Sequence, residues 1–201
     1  MIKAVIFDIC GVLCSQVGRT HRRRWEQRLG LPEDSLEKAV YDSPVGRKGF
    51  VGQATGAEVW EAFRLKFNLS TADTHAFLAE FWADEEWDEV LLEPIRSLRP
   101  RYRTGVISDA LPGARHEPRV KAHVNASLFD VILFSGEEGV TKPAPAIIDK
   151  ALAILGMQRA EAIFIDDDPR KVEGARTLGI HGISFETREQ ARAELKAMLD
   201  G

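Results

Sequence analysis

The chain has 201 residues, of which 44% are hydrophobic and 29% are charged, a composition typical of folded globular proteins and not of disordered ones. A chain of this length can bury one substantial core and an appended small subdomain. The formal net charge is only −4, which does not provide the basic surface that binding to a phosphate backbone requires. We therefore expect no nucleic-acid partner.

The apolar runs are short and are interrupted by charged residues or glycine, whereas a helix that spans a bilayer needs about 18 to 20 apolar residues. The N-terminal segment MIKAVIFD also lacks an apolar stretch followed by small residues at a cleavage site. We expect a cytoplasmic protein with no membrane partner. Cys10 and Cys14 have no second ligand cluster after them in the sequence, so neither a disulfide framework nor a zinc site is predicted.

The first predicted element is a strand at residues 5–7, because this bulky and partly β-branched run is typical of a strand buried on both faces. From about residue 17 to residue 87 the apolar residues recur at helical spacing, as Val59, Phe63 and Phe67 do. This pattern predicts a small bundle of helices.

After about residue 91, short apolar runs alternate with helical segments; the runs lie at 106–107, 131–134, 163–165 and 180–183. Strands that alternate with helices predict parallel βαβ units, and the N-terminal strand brings the total to about five parallel strands. The predicted fold class is α/β, with a Rossmann-like parallel sheet as its core. Because the first strand belongs with the C-terminal half, residues 1–15 and 92–201 are predicted to form this core and residues 16–91 an inserted α-helical cap.

Polar side chains follow four of the predicted strands. In chain order they are Asp8, then Ser108 and Asp109, then Lys142 in a following loop, then Asp166 and Asp167. Open parallel sheets bind ligands at the carboxyl ends of their strands, so we expect these side chains to converge. Crowded carboxylates repel each other unless a cation neutralises them, and oxygen ligands without histidine favour Mg²⁺, which commonly joins a substrate phosphate. The pattern therefore predicts a magnesium site for a phosphate ester.

These segments resemble motifs I to IV of the haloacid dehalogenase superfamily, in the branch that inserts a helical cap after motif I. The resemblance covers residues 1–15 and 92–201 and includes the order and spacing of the motifs. It implies a Mg²⁺-dependent phosphohydrolase, a monomer or a homodimer, whose partner is a small phosphorylated metabolite.

The resemblance also implies roles for the residues at the strand ends. Asp8 would attack phosphorus to form an aspartyl-phosphate. Ser108 and Lys142 would hold the phosphoryl oxygens, and Asp109 would contact either the substrate or only the turn. The Mg²⁺ ligands would be the Asp8 carboxylate, the backbone carbonyl of Cys10 and Asp167, with Asp166 acting directly or through a water.

Cys10 departs from the family pattern. The second aspartate of motif I usually acts there as general acid and base, and a thiol with a pKa near ~8.5 is a poor replacement. Losing general acid–base catalysis costs about 10²- to 10⁴-fold in rate, so we predict a slow or leaving-group-selective phosphatase.

Two alternatives stay open. The first is a 2-haloacid dehalogenase or a related hydrolase of C–X bonds, because such relatives also lack an acid at the Cys10 position. The acid pair of motif IV argues against it, since dehalogenases use no metal. The second is a catalytically weakened homologue that only binds phosphate, which the joint retention of Asp8, Lys142 and Asp167 disfavours.

The helical segment carries two further patterns. The run from Arg22 to Arg24 is expected to form a solvated helix face and not an anion site. Aromatic residues at helical spacing, such as Phe77 and Phe81, are expected to form the core of the bundle, and Cys14 is expected to be a small buried side chain.

Overall fold

The computed structural model describes residues 1–16, 19–99 and 101–200. The strands are β1 (Ala4–Phe7), β2 (Cys14–Gln16), β3 (Glu85–Trp87), β4 (Arg103–Ser108), β5 (Val131–Phe134), β6 (Ala162–Asp166) and β7 (His181–Ser184). The helices are α1 (Thr20–Leu29), α2 (Leu36–Tyr41), α3 (Pro44–Phe50), α4 (Gly56–Lys66), α5 (Thr71–Phe81), α6 (Glu89–Leu98), α7 (Pro118–His123), α8 (Ser135–Glu138), α9 (Pro145–Leu155), α10 (Pro169–Thr177) and α11 (Arg188–Asp200).

Five of these strands form one sheet in the order β5-β4-β1-β6-β7, and all neighbouring strands are parallel. The predicted α/β fold class and its Rossmann-like sheet are therefore confirmed. The apolar run at residues 5–7 lies in the central strand β1, which is covered on both faces. This double coverage explains why the strand is apolar throughout and does not alternate with polar residues.

Side chains of β1 alternate between two cores, as the two-residue period of a strand requires. Val5 and Phe7 face a core that includes the apolar residues of α6, α7 and α11. Ala4 and Ile6 face the opposite core, which is built against α9 and α10. Helices therefore cover both faces of the sheet, and its carboxyl edge is left to carry polar groups.

Helices α1 to α5 lie between β2 and β3 in the chain and share a third core. Aromatic side chains dominate this core, and the rings of Phe63 and Phe77 stack with their centroids 4.5 Å apart. The segment begins and ends at a two-stranded antiparallel ribbon, in which Cys14 is opposite Trp87. The predicted boundary between the helical segment and the core falls between residues 91 and 92. In the structure both residues lie inside α6, and both pack on the main sheet.

The expectation of a solvated arginine face was wrong for Arg22. Arg23 and Arg24 are exposed, whereas the side chain of Arg22 is fully buried. The reason is helical periodicity, since Trp25 and Glu26, three and four residues further on, are buried on the same face. Among the residues that the structure describes, none of the helices has both the length and the apolar character needed to cross a bilayer.

Candidate active site

The candidate site lies at the carboxyl ends of the three central strands. β1 lies between β4 and β6, so Asp8, Ser108 and Asp166 emerge side by side from adjacent strands. The backbone N–H of Asp8 donates to the carbonyl of Ile165 at 2.9 Å, which extends the strand pairing up to the carboxylate. All three side chains are buried. The sheet topology thus brings together residues that are separated by up to 158 positions in the chain.

Lys142 holds two of these carboxylates together. Its Nζ lies 2.7 Å from Asp8 Oδ2 and 2.7 Å from Asp166 Oδ2, and its side chain has no solvent exposure. Burial alone would lower the pKa of the Lys142 ammonium, but the negative charges of Asp8 and Asp166 outweigh it and raise the pKa above its usual value. The lysine is therefore a permanently charged partner of both acids.

The third acid, Asp167, completes a cluster of oxygen donors. Carboxylate oxygens of Asp8, Asp166 and Asp167 all lie within 4.8 Å of one another. Burial and the charge of Asp8 raise the pKa of Asp166, and burial together with Asp166 raises that of Asp167. Lys142 and the nearby Lys171 carry two positive charges against these three acids, and a cluster made of hard oxygen donors fits a divalent cation such as Mg²⁺. Asp167 is exposed, so the cluster opens to solvent on that side.

The loop after β1 approaches Asp167 so closely that it requires a glycine. Gly11 has a φ of +84°, and a Cβ at this position would lie 2.2 Å from Asp167 Oδ2. The positive φ strains any other residue here, and an added Cβ would push the Asp167 carboxylate aside. The close approach fixes the Asp167 carboxylate beside the loop that carries Cys10.

Gly11→Ala is expected to weaken divalent-cation binding by at least about tenfold, the lower end of the effect of disturbing groups that orient metal ligands. The displaced Asp167 carboxylate is the physical reason. The matched control is Gly179→Ala, because Gly179 has a φ of +86° but no atom within 4 Å of an added Cβ. Mg²⁺ titration of both variants would measure the difference, and equal affinities would contradict the role of this close approach.

Ser108 and Asp109 occupy different surroundings. Ser108 is the last residue of β4 and is buried beside β1. Asp109 is engaged by protein groups, since its Oδ1 accepts a hydrogen bond of 3.0 Å from the backbone N–H of Lys142 and its Oδ2 lies 3.1 Å from Lys171 Nζ. Asp109 therefore holds in place the loop that carries Lys142. Lys171 was not among the residues selected from the sequence, because a lysine in the first turn of a helix carries no distinctive signal.

Cys10 is exposed next to Asp8 and borders a polar cluster that the sequence did not reveal. Its Sγ lies 3.9 Å from the Sγ of the buried Cys14, which in turn lies 3.4 Å from Glu85 Oε1.

Arg119 completes this polar cluster. Its Nη1 donates to both Glu85 oxygens at 2.7 Å, and its guanidinium lies 3.7 Å from the centre of the Trp82 ring. The hydrogen bond with Cys10 and burial raise the pKa of Cys14 far above its usual value. Glu85 and Arg119 had no sequence signal, because their partners are distant in the chain.

The fold and the site define a hydrolase of the α/β type. The model of the haloacid dehalogenase-like hydrolase family matches residues 2–179, and the chain belongs to this family. Membership of the haloacid dehalogenase superfamily, which the motifs predicted, is thereby confirmed, and so is the assignment of the chain as a hydrolase.

Two curated relatives and one solved structure illustrate the range of similar proteins. Acyl-CoA dehydrogenase family member 10 of Mus musculus is 30% identical over 207 residues, which cover 98% of this chain but 19% of that protein. The phosphoserine phosphatase of Thermus thermophilus is 34% identical over 79 residues, or 39% of this chain and 31% of the enzyme. The chain therefore matches less than half the length of either relative.

The solved structure is a HAD family enzyme from Bacteroides thetaiotaomicron in complex with magnesium and inorganic phosphate. It has a TM-score of 0.76 and 19% identity to this chain, and the match covers 92% of this chain and 94% of that one. At this level of identity the likeness establishes the fold.

Proposed function

We propose that this protein is a Mg²⁺-dependent phosphohydrolase of a small phosphorylated metabolite and that it works through an aspartyl-phosphate on Asp8. The observation that carries the proposal is the buried arrangement of Lys142 between Asp8 and Asp166, 2.7 Å from each, with Asp167 in the same oxygen cluster. Relatives that are phosphatases and a neighbouring fold that holds magnesium and phosphate support it.

In the first step a carboxylate oxygen of Asp8 would form a bond to phosphorus while the bond from phosphorus to the leaving oxygen breaks. Water would then attack the aspartyl-phosphate, release phosphate and restore the carboxylate. Lys142 would hold a phosphoryl oxygen and balance the charge of Asp8, and Ser108 would donate its hydroxyl to another oxygen. These contributions are positioning and charge stabilisation, which phosphoryl transfer chiefly requires.

The Mg²⁺ ligands in this proposal are Asp8, the backbone carbonyl of Cys10 and Asp167, with Asp166 direct or through a water. The ion would supply positive charge that offsets the negative charge of the phosphoryl oxygens. The raised pKa of Asp166 and Asp167 is consistent with acids whose charge a cation must offset.

The protein lacks the usual acid next to Asp8. The thiol of Cys10 is a poor replacement for that acid, so water or the substrate must supply the proton that the leaving group takes up. We therefore propose a slow or leaving-group-selective phosphatase. Substrates whose leaving group needs no proton should be processed best.

We also propose that residues 16–91 form a cap and that residues 1–15 and 92–201 form the catalytic core. The support is that helices α1 to α5 have an apolar core of their own, separate from the two cores of the sheet. The β2–β3 ribbon connects this segment to the loop after β1, next to Cys10. Cap residues would then face the phosphoryl site and select the substrate.

Beryllium fluoride binding tests the proposal directly, since this ligand mimics a phosphoryl group on a carboxylate. In the presence of Mg²⁺ we expect the wild-type protein to bind about one equivalent, and Asp8→Asn, an almost isosteric change, to remove the binding. A screen of phosphate monoesters with and without a chelator then identifies substrates.

Two outcomes would contradict the phosphohydrolase. One is a folded wild-type protein that binds no beryllium fluoride at any Mg²⁺ concentration. The other is hydrolysis of 2-haloacids that a chelator leaves unchanged, which would favour the dehalogenase alternative.

A further inference from the structure

A second group of metal-ligating side chains lies beside the candidate active site. The Sγ atoms of Cys10 and Cys14 and a carboxylate oxygen of Glu85 all lie within 4.8 Å of one another. The proposed phosphohydrolase does not use Cys14 or Glu85. Cys10 lies in the loop after β1, Cys14 in β2 and Glu85 in β3, so the ribbon brings Cys14 and Glu85 next to Cys10.

Two of the separations match a tetrahedral zinc site. With Zn–S bonds of about 2.3 Å, two sulfur ligands of a tetrahedral ion lie about 3.8 Å apart, and a sulfur and a carboxylate oxygen lie about 3.6 Å apart. In this protein the Cys10 and Cys14 sulfurs are 3.9 Å apart, and Cys14 Sγ is 3.4 Å from Glu85 Oε1. Two of the three donor pairs are therefore already at ligand spacing, and the third pair, Cys10 Sγ and a Glu85 oxygen, lies within 4.8 Å.

We infer that Cys10, Cys14 and Glu85 form a binding site for a thiophilic divalent cation, with Zn²⁺ as the best match. The three protein ligands leave a fourth position for water or an exogenous ligand. Thiolate sulfur favours Zn²⁺ over Mg²⁺, whereas the oxygen cluster of Asp8, Asp166 and Asp167 has the reverse preference. The protein would thus hold two neighbouring sites of different metal selectivity.

The charges of the site also balance. On binding, two S–H bonds break, two Zn–S bonds form and two protons pass to solvent. The charges of the ion (+2), the two thiolates (−2), Glu85 (−1) and Arg119 (+1) then sum to zero. Arg119 also pairs with Glu117 at 2.8 Å, but the Glu117 side chain is 41% exposed and is screened by solvent. Glu85 Oε1 can ligate the ion while Oε2 keeps its 2.7 Å contact with Arg119. Neutrality matters here because the Glu85 side chain is only 2% exposed.

A metal ion can reach the site from the side of Cys10, because Cys10 is exposed to solvent whereas Cys14 is buried. A bound ion would fix the Cys10 thiolate next to Asp8 and tie the β2–β3 ribbon to the loop after β1. Zn²⁺ is therefore expected to inhibit turnover at Asp8. The site itself is independent of the proposed function, and its test needs no catalytic activity.

Titration of the reduced, metal-free protein with Co²⁺ is the test, because cobalt reports thiolate ligands by a charge-transfer absorption that oxygen ligands do not produce. We expect about one equivalent of Co²⁺ to generate this band and Zn²⁺ to displace it. Cys10→Ser and Cys14→Ser should each remove the band and weaken Zn²⁺ binding by more than about 100-fold, which exceeds the loss of an orienting partner. Asp167→Asn, in the oxygen cluster, should leave the band unchanged.

Cys10 is exposed, so Cys10→Ser remains informative if Cys14→Ser fails to fold. Absence of a thiolate band in the reduced wild-type protein would overturn the site. A band that survives Cys10→Ser in full would do the same. Conversion of the two thiols to a disulfide in air, with no metal uptake by the reduced protein, would assign the pair to redox chemistry instead.

Discussion

Cys10→Asp is expected to raise the turnover of alkyl phosphate monoesters by about 10²- to 10⁴-fold, the range that general acid–base catalysis supplies. The substitution places a carboxyl group beside Asp8, where it can protonate the leaving oxygen and later accept a proton from water. The position can accept the change because Cys10 is exposed, so that solvent can hydrate the added carboxylate. Steady-state kinetics with an alkyl phosphate measures the gain.

A second substrate with a better leaving group and a matched variant provide the controls for this prediction. An aryl phosphate with a good leaving group should gain far less, because its leaving oxygen needs little protonation. Cys10→Asn has the size of the aspartate but no acid, so it should give no gain with either substrate. Unchanged alkyl phosphate turnover in a folded Cys10→Asp protein would mean that the missing acid does not limit the rate.

The sheet could be predicted because its strands are short apolar runs buried on both faces. The run at 131–134 coincides with β5, and the run at 180–183 differs from β7 by one residue. The carboxyl ends of parallel strands lie at the same edge of the sheet, so the apolar runs also predicted that Asp8 and Asp166 lie close together. The 2.7 Å contacts of Lys142 could not be derived this way, because they depend on the course of a loop.

The groups that sequence reasoning missed depend on contacts between distant residues. Glu85 lies 71 positions after Cys14, and the strands that carry these two residues have three residues each, too few for a recognisable period. The burial of Arg22 was missed for a related reason. A charged run looks solvated, whereas the helix turns one member of it inward, where its guanidinium lies 4.7 Å from the centre of the Phe81 ring.

Lys142→Met is expected to destabilise the metal-free protein by about 3 to 5 kcal/mol, the typical cost of leaving a buried charge without its partner. The side chains of Lys142 and Asp166 are fully buried and that of Asp8 is nearly so, hence solvent cannot replace the lost ammonium. Loss of a contact to the phosphoryl group should also reduce turnover by about 10²- to 10³-fold. Urea unfolding and steady-state kinetics measure the two effects.

Lys150→Met is the matched control, because Lys150 pairs with Glu138 at the surface and such pairs contribute about 0 to 1 kcal/mol. Mg²⁺ should restore part of the stability of Lys142→Met by supplying a positive charge to Asp8 and Asp166. A loss no larger than that of the control would contradict the proposed electrostatic role of the buried lysine.

The effect of pH distinguishes a lost charge from a lost packing contact. In the wild-type protein the pKa of Lys142 is raised, so its contribution is complete below the pKa of the unfolded state and is lost only as the pH rises through the folded pKa. In the wild-type protein Lys142 opposes the rise in the pKa of Asp166 that burial and Asp8 cause, so this pKa rises further above the unfolded value when the lysine is removed. The folded variant then binds protons more readily than the unfolded chain, so its stability deficit should shrink as the pH falls from neutral towards about 5. A deficit of equal size at both pH values would instead indicate that the methionine packs poorly.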